Sequence, residues 1–332
     1  MGLGYCCAMV DSDYTYSVDD CDVQDKVKLR TFREKRRQWK DWLDDDPDHA
    51  IWRTVQELIW RDVQFATIGQ LAKDNPEGPL NTSLIAESLI GGHVAQQVLA
   101  IRRLMDKGRN RISLYRLVVD VRSNRELLTR ENIVCFDGLP FDHEAVEARE
   151  WAEMTPGVRW GHTTGPRAWS TSERLHRKFD RVSGHHHPNR SRSDTIPKAT
   201  LSGLEQLLLS SGAARIAEWS HAYLAHAGAP FDREAVKSVA IANGTVAAAI
   251  RDLALITEYV SSQILWIGGY RGALMPTPQF DVFEKLENPV ADDAGQQEAA
   301  LVWERKRREW DDALEGVDEL LAREEAANPP GI

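Results

Sequence analysis

The residues best equipped for chemistry lie in one segment, Ala214-Arg215-Ile216-Ala217-Glu218-Trp219-Ser220-His221-Ala222-Tyr223-Leu224-Ala225-His226-Ala227-Gly228. An imidazole exchanges a proton near neutral pH and a guanidinium holds negative charge. Arg215, His221 and His226 therefore offer acid/base work beside an anion. Five residues separate Arg215 from His221, and on a regular helix that step turns the pair about 120° apart. His226 returns to nearly the face of Arg215, at roughly 16 Å of helix rise. A structural account of the same residues is equally complete: His226 near a helix C-terminus suits the dipole, and His221 can pair with Glu218 one turn earlier.

A second group is cationic. Arg174, Arg177, Lys178, Arg181, Arg190, Arg192 and Lys198 outnumber Asp180 and Asp194 in their span, a composition suited to contacts with nucleic-acid phosphates. A solvated helix face explains it nearly as well. Another basic run, from Arg102 to Arg125, straddles a helix end, where cations offset the dipole. Residues 28–40 are also basic, with Trp39 and Trp42 nearby; such aromatics stack on bases in some proteins but at helical spacing usually form core. His185-His186-His187, with His162 and His176 upstream, suggests a metal. Three consecutive side chains converge poorly on one ion, and no Cys or carboxylate set stands at ligand spacing, so the expectation is a solvated loop with no metal and no cofactor.

Helices must carry these groups. Val236, Val239, Ala240, Val246, Ala247, Ile250, Leu253, Ala254, Thr257, Val260 and Ile264 recur at three- and four-residue steps, which predicts one long helix over residues 233–267. Ile90, Val94, Val98, Ile101 and Met105 do the same over 82–105, and Ile51, Val55, Leu58, Ile59, Asp62 and Ala66 over 51–71, ended by Asn75-Pro76-Glu77-Gly78-Pro79. Further helices are expected over 113–125, 141–154, 170–183 and 200–227. Only residues 132–136 suggest a strand. Residues 155–166 and 184–197 read as long irregular loops, of the kind that are often functional or mobile. The prediction is an all-α fold: a helical bundle with long irregular connections and a C-terminal helical extension. Residues 1–24 form an acidic flexible tail, 25–268 the bundle, 269–295 a Pro/Gly-containing linker and 296–332 a charged C-terminal helix and tail.

The Arg215 to His226 segment resembles the signature helix of the HEPN superfamily, whose helical ribonucleases carry Arg, four to six residues, then His. Leu224-Ala225-His226-Ala227 is similar to that family's Ala-His close. Ile101-Arg102-Arg103-Leu104-Met105-Asp106, Ile112-Ser113-Leu114-Tyr115-Arg116-Leu117 and Phe179-Asp180-Arg181-Val182-Ser183-Gly184 resemble the abortive-infection type-U branch, so the likeness runs discontinuously over about residues 50–265. When the family motif is aligned on His226 instead, His221 falls where the family has Arg, and Ala222 where a polar residue commonly follows. The resemblance implies phage defence in bacteria through RNA binding or metal-independent RNA cleavage. His226 or His221 would then do the acid/base work and Arg215 would hold phosphate, in a groove between the two copies of a homodimer. The competing expectation is a helical scaffold or regulatory partner, engaging a partner protein through the C-terminal helix.

Composition sets limits. The formal charge of −10 confines any polyanion site to a local patch. No run approaches the roughly 18 apolar residues of a membrane span, and the acidic sequence after residue 10 is not built like a secretory signal. Cys6 stands where a myristoylation motif requires Ser or Thr. Cys6, Cys7, Cys21 and Cys135 lack disulfide or zinc spacing, which suits reduced thiols in a cytoplasmic protein. Phosphate-loop, dinucleotide, zinc-protease and serine-hydrolase motifs are missing from the sequence.

Overall fold

The computed structural model describes residues 13–81, 83–153, 161–225, 243–270, 272, 274–275, 277–278, 281–284 and 293–327. Among them the fold is all-α, with eleven α-helices: α1 (Lys26–Lys40), α2 (Ile51–Asp74), α3 (Ser83–Leu104), α4 (Leu114–Ser123), α5 (Arg130–Cys135), α6 (His143–Glu153), α7 (Trp169–Ser183), α8 (Lys198–Ser210), α9 (Gly212–Ser220), α10 (Asn243–Tyr259) and α11 (Asp293–Ala327). Single π turns extend α1, α9 and α10 over Asp41–Asp45, His221–Ala225 and Val260–Ile264. His226, residues 1–12, 155–160 and 233–242, and about half of the expected linker lie outside the described residues.

Local chemistry sets the helix ends. Asp25, Ser113 and Thr129 each accept a backbone N–H of the first turn of α1, α4 and α5, satisfying donors that would otherwise lack partners. Gly184 closes α7 in the left-handed conformation, φ 73°, its N–H bonding to the Asp180 carbonyl at 2.9 Å, as glycine does without steric penalty. The segment at 132–136 is helical instead of extended. Its brief β-branched run, Ile133-Val134, falls within a capped helix whose six residues are all buried, and tertiary burial outweighs propensity over so short a piece.

Helix α10 forms the middle of the bundle, touching α2, α3, α8, α9 and α11. The stripe expected along it is buried at Val246, Ile250, Leu253, Ala254, Thr257, Val260 and Ile264. Helix α11 is not an appendage. Trp303, Trp310, Leu314 and Val317 are buried in the same core, Trp303 meets Trp60 edge-on at 5.1 Å, and α11 packs on α2, α10 and α7. Among the described residues most of its apolar stripe is therefore spent within the chain, Leu301 staying exposed.

From Asp13 the expected tail is docked as well. Val18, Cys21 and Val23 are buried, and Arg33 on α1, fully buried, donates to the carbonyls of Phe136 at 2.7 and 2.9 Å and of Tyr16 at 2.7 Å. A Cβ on Gly138 (φ 81°) or Gly165 (φ 77°) would overlap the Tyr16 side chain, so both glycines serve close approach and a left-handed backbone. Cys21 and Cys135 are buried free thiols, and no described helix is long and apolar enough to cross a membrane.

Leu314 is fully buried on α11, so Leu314→Ala should cost about 2–5 kcal/mol. We expect urea unfolding to keep one transition at a lower midpoint; a separate early transition for α11 would mean that this helix is detachable.

Candidate functional site

The basic segment from Arg174 to Lys198 resolves into two parts with different chemistry. The first is internal and centres on Arg130, which begins α5 and is fully buried. Its Nη1 donates to Asp180 Oδ1 at 2.7 Å and its Nε to Asp194 Oδ2 at 2.9 Å, while Nη2 donates to the His185 carbonyl at 2.7 Å. Arg190 grips the same Asp180 through two bonds, at 3.1 and 2.7 Å. Two backbone bonds, Arg130 N to Asp194 O at 2.8 Å and Glu131 N to Arg192 O at 3.2 Å, run alongside. Arg192 bonds Asp22, faces Glu131 at 3.6 Å and lies over the Phe141 ring at 4.2 Å. The irregular loop over 184–197 is thus pinned to α5 and α7.

Burial alone would raise the Asp180 carboxyl. The hydrogen bonds from Arg190 and Arg130 outweigh that and hold it below the usual carboxylate range. Beneath the network lies His176, 1% exposed. Its Nε2 stands 3.0 Å from the Phe141 carbonyl, which can only accept, so Nε2 carries the proton and Nδ1 has no partner. Burial first, and then the Arg130 charge, push this imidazole down to about 3. His143 is lowered too, by burial and then by Arg190. Both rings are neutral spacers within a cationic network. His186 and His187 approach Asp180 and Glu144 at 4.0 and 3.8 Å, and no group of three or more His, Cys, Asp and Glu among the described residues could hold a metal ion.

The second part faces solvent. Arg174, Lys178 and Arg181 recur at four- and three-residue steps along α7 and so share a face. Arg174 and Arg181 are exposed and Lys178 is half-buried. Burial lowers the Lys178 ammonium, and the two guanidinium charges lower it further. None of the three has an acidic partner among the described residues, whereas Arg177 is paired with Glu173.

On α9 the motif residues are solvent-facing. Ala213, Ile216 and Ser220 turn inward, leaving Arg215 and His221 exposed, with His221 opening the π turn. Trp219 and Tyr223 stack beside them at 5.0 Å. The start of α9 packs on Ala249 and Thr245, whereas α7 packs on the π turn Val260–Ile264, roughly 16 Å further along α10. Packing of α9 on α7 is not among the main helix–helix contacts.

Much of the other segments of the family likeness is core in this chain, Arg181 excepted. Phe179 lies buried under the Arg130 guanidinium at 4.7 Å; Ile101, Leu104, Met105, Leu114 and Leu117 are core, and Ser113 is a cap. Trp39 is core too, its Nε1 bonded to Asp120 at 2.7 Å. The anchoring role of Arg130 is absent from the motif reading, although two acids inside a basic segment, Asp180 and Asp194, were its trace. No family model matches this chain, and neither the curated proteins nor the solved structures give a match.

Removing the buried Arg130 side chain leaves Asp194 without its cation and Asp180 with Arg190 alone, so Arg130→Ala should cost about 3–5 kcal/mol by denaturant unfolding. His176 supplies a pH test. With the native ring titrating at about 3 and an unfolded histidine near 6.5, the unfolded chain binds the extra proton first. Stability therefore falls as pH drops from about 6.5 toward 3. We expect His176→Gln, which keeps the N–H donor, to flatten that part of the stability profile.

Proposed function

We propose that this chain is an RNA-engaging helical protein of the HEPN-like abortive-infection type, acting in bacterial phage defence. The observation that carries the binding half of this reading is the α7 face, where Arg174, Lys178 and Arg181 stand together without acidic partners among the described residues, and where the two guanidinium charges add to burial in lowering the Lys178 ammonium. Three cations at one to two helical turns match the spacing at which a folded-back or single-stranded backbone offers phosphates. With a net charge of −10, such a face is a local attractor on an otherwise repelling molecule. Arg190 and Arg192 take no part, because their guanidinium groups are committed to Asp180 and Asp22.

Cleavage is the second reading, favoured by one feature: Arg215 and His221 are both solvent-facing where α9 passes into a π turn, a distortion frequent at functional sites. Metal-independent cutting would use His221 or His226 as acid/base and Arg215 on phosphate. A second copy of the chain would supply what one helix face does not bring together. A helical scaffold or regulatory protein is the reading that remains if RNA is not bound.

The test is fluorescence anisotropy with labelled single-stranded RNA, in chelator, against salt concentration. Relative to wild type, Arg174→Ala with Lys178→Ala and Arg181→Ala should bind at least tenfold more weakly and lose roughly two units of salt slope. Unchanged binding by the triple variant, or no binding by wild type, would leave the scaffold reading. The same samples on a gel report cutting, which His221→Ala with His226→Ala should abolish.

A further inference from the structure

A trough of about 380 Å³ opens between α2, α10 and α11, on a different part of the bundle from the α7 cations. Its α2 wall is one helical face that begins at Asp62, passes Gly69 and ends at Lys73; Gly244 of α10 and Arg305 and Lys306 of α11 close the other sides. Asp62 sits at the inner end, only 9% exposed, while Lys73 and Arg305 are exposed at the rim. The volume lies within the range of small-molecule sites.

Two features of this trough have no packing explanation. Asp62 Oδ2 and the indole Nε1 of Trp310 are neighbours without a well-formed hydrogen bond between them, so the buried carboxylate is left short of donors, at a cost in stability unless a partner arrives. Lys306 is the nearest cation to Asp62, but its ammonium is 3.0 Å from Glu309. Burial raises the Asp62 carboxyl, and Lys306 and Trp310 only partly counter that. Gly69 lies in the middle of α2, where glycine is a poor helix former, yet a Cβ there would meet nothing within 4 Å. Its missing side chain keeps the trough open without relieving any contact.

Charge is ordered along the trough. An under-satisfied carboxylate, Asp62, lies at the inner end. At the mouth are Lys73 and Arg305, neither with an acidic partner among the described residues, beside Gly244 of α10. We propose that this trough binds a small elongated molecule with an amine at one end, donated to Asp62, and a carboxylate or phosphate at the other, held by Lys73 and Arg305. Lys73 stands eleven residues beyond Asp62, about 16 Å of helix rise, and the long rim side chains shorten that span. A ligand with several atoms between its charged ends fits better than glycine. The assignment is independent of RNA binding.

Isothermal titration of the full chain with 6-aminohexanoate and phosphoethanolamine tests it, with glycine, hexanoate and hexylamine as short and one-ended comparisons. At least one of the two-ended probes should bind at least tenfold more tightly than the comparisons, and which one does separates a carboxylate ligand from a phosphate one. Asp62→Asn should weaken that binding at least tenfold, and Gly69→Leu, which fills the trough without touching a charge, should abolish it. Should Asp62→Asn not fold, Lys73→Ala with Arg305→Ala, both at exposed positions, should show the same tenfold loss. Absence of binding by both two-ended probes at about 10 mM, equal binding by hexanoate or hexylamine, or binding undiminished in these variants would overturn the proposal.

Discussion

A guanidinium removed from water is tolerable only when its donors and its charge are both answered, and Arg130 meets that condition with two carboxylates and backbone carbonyls. Much of the surrounding architecture follows from this requirement. Asp180 must come from α7 and Asp194 from the loop beyond it. Arg190 must return to Asp180, because two cations on one carboxylate keep it ionised despite burial. The loop over 184–197 has little apolar content, yet it is fixed by charge. Arg33, also fully buried, ties the N-terminal segment to the chain between α5 and α6 through the carbonyls of Tyr16 and Phe136.

Wherever burial follows a helical period, the fold is legible in the sequence. The stripe of α10 and the Asn75-Pro76 stop of α2 are local facts, and local patterns record them. The docking of residues 13–24 is not local. Its partners include Phe136, Asp137 and Arg192, more than a hundred residues away, and an acidic composition reads as a tail because it carries no mark of a distant buried arginine. Helix α11 misleads in the opposite way. Its many charges suggest an extension, but its tryptophans face α2.

The candidate sites differ in the same respect. Arg174, Lys178 and Arg181 are visible as a cationic run, although sequence cannot separate them from Arg190 and Arg192, whose partners are supplied by folding. Asp62 was in view as a polar residue within an apolar stripe, the kind of local contradiction that natural sequences keep at special positions. Its meaning depends on α10 and α11, which arrive from the far end of the chain.

That distance has a consequence for biogenesis. The face of α2 that bears Trp60 and Asp62 is completed by Trp303 and Lys306, roughly 250 residues later in synthesis. At about 5–20 residues per second, a nascent chain carries this face uncovered on the ribosome for on the order of ten seconds or more. Helix α11 is thus a closing element, and a chain cut short before it would expose a tryptophan-bearing surface of the sort that chaperones and proteases recognise.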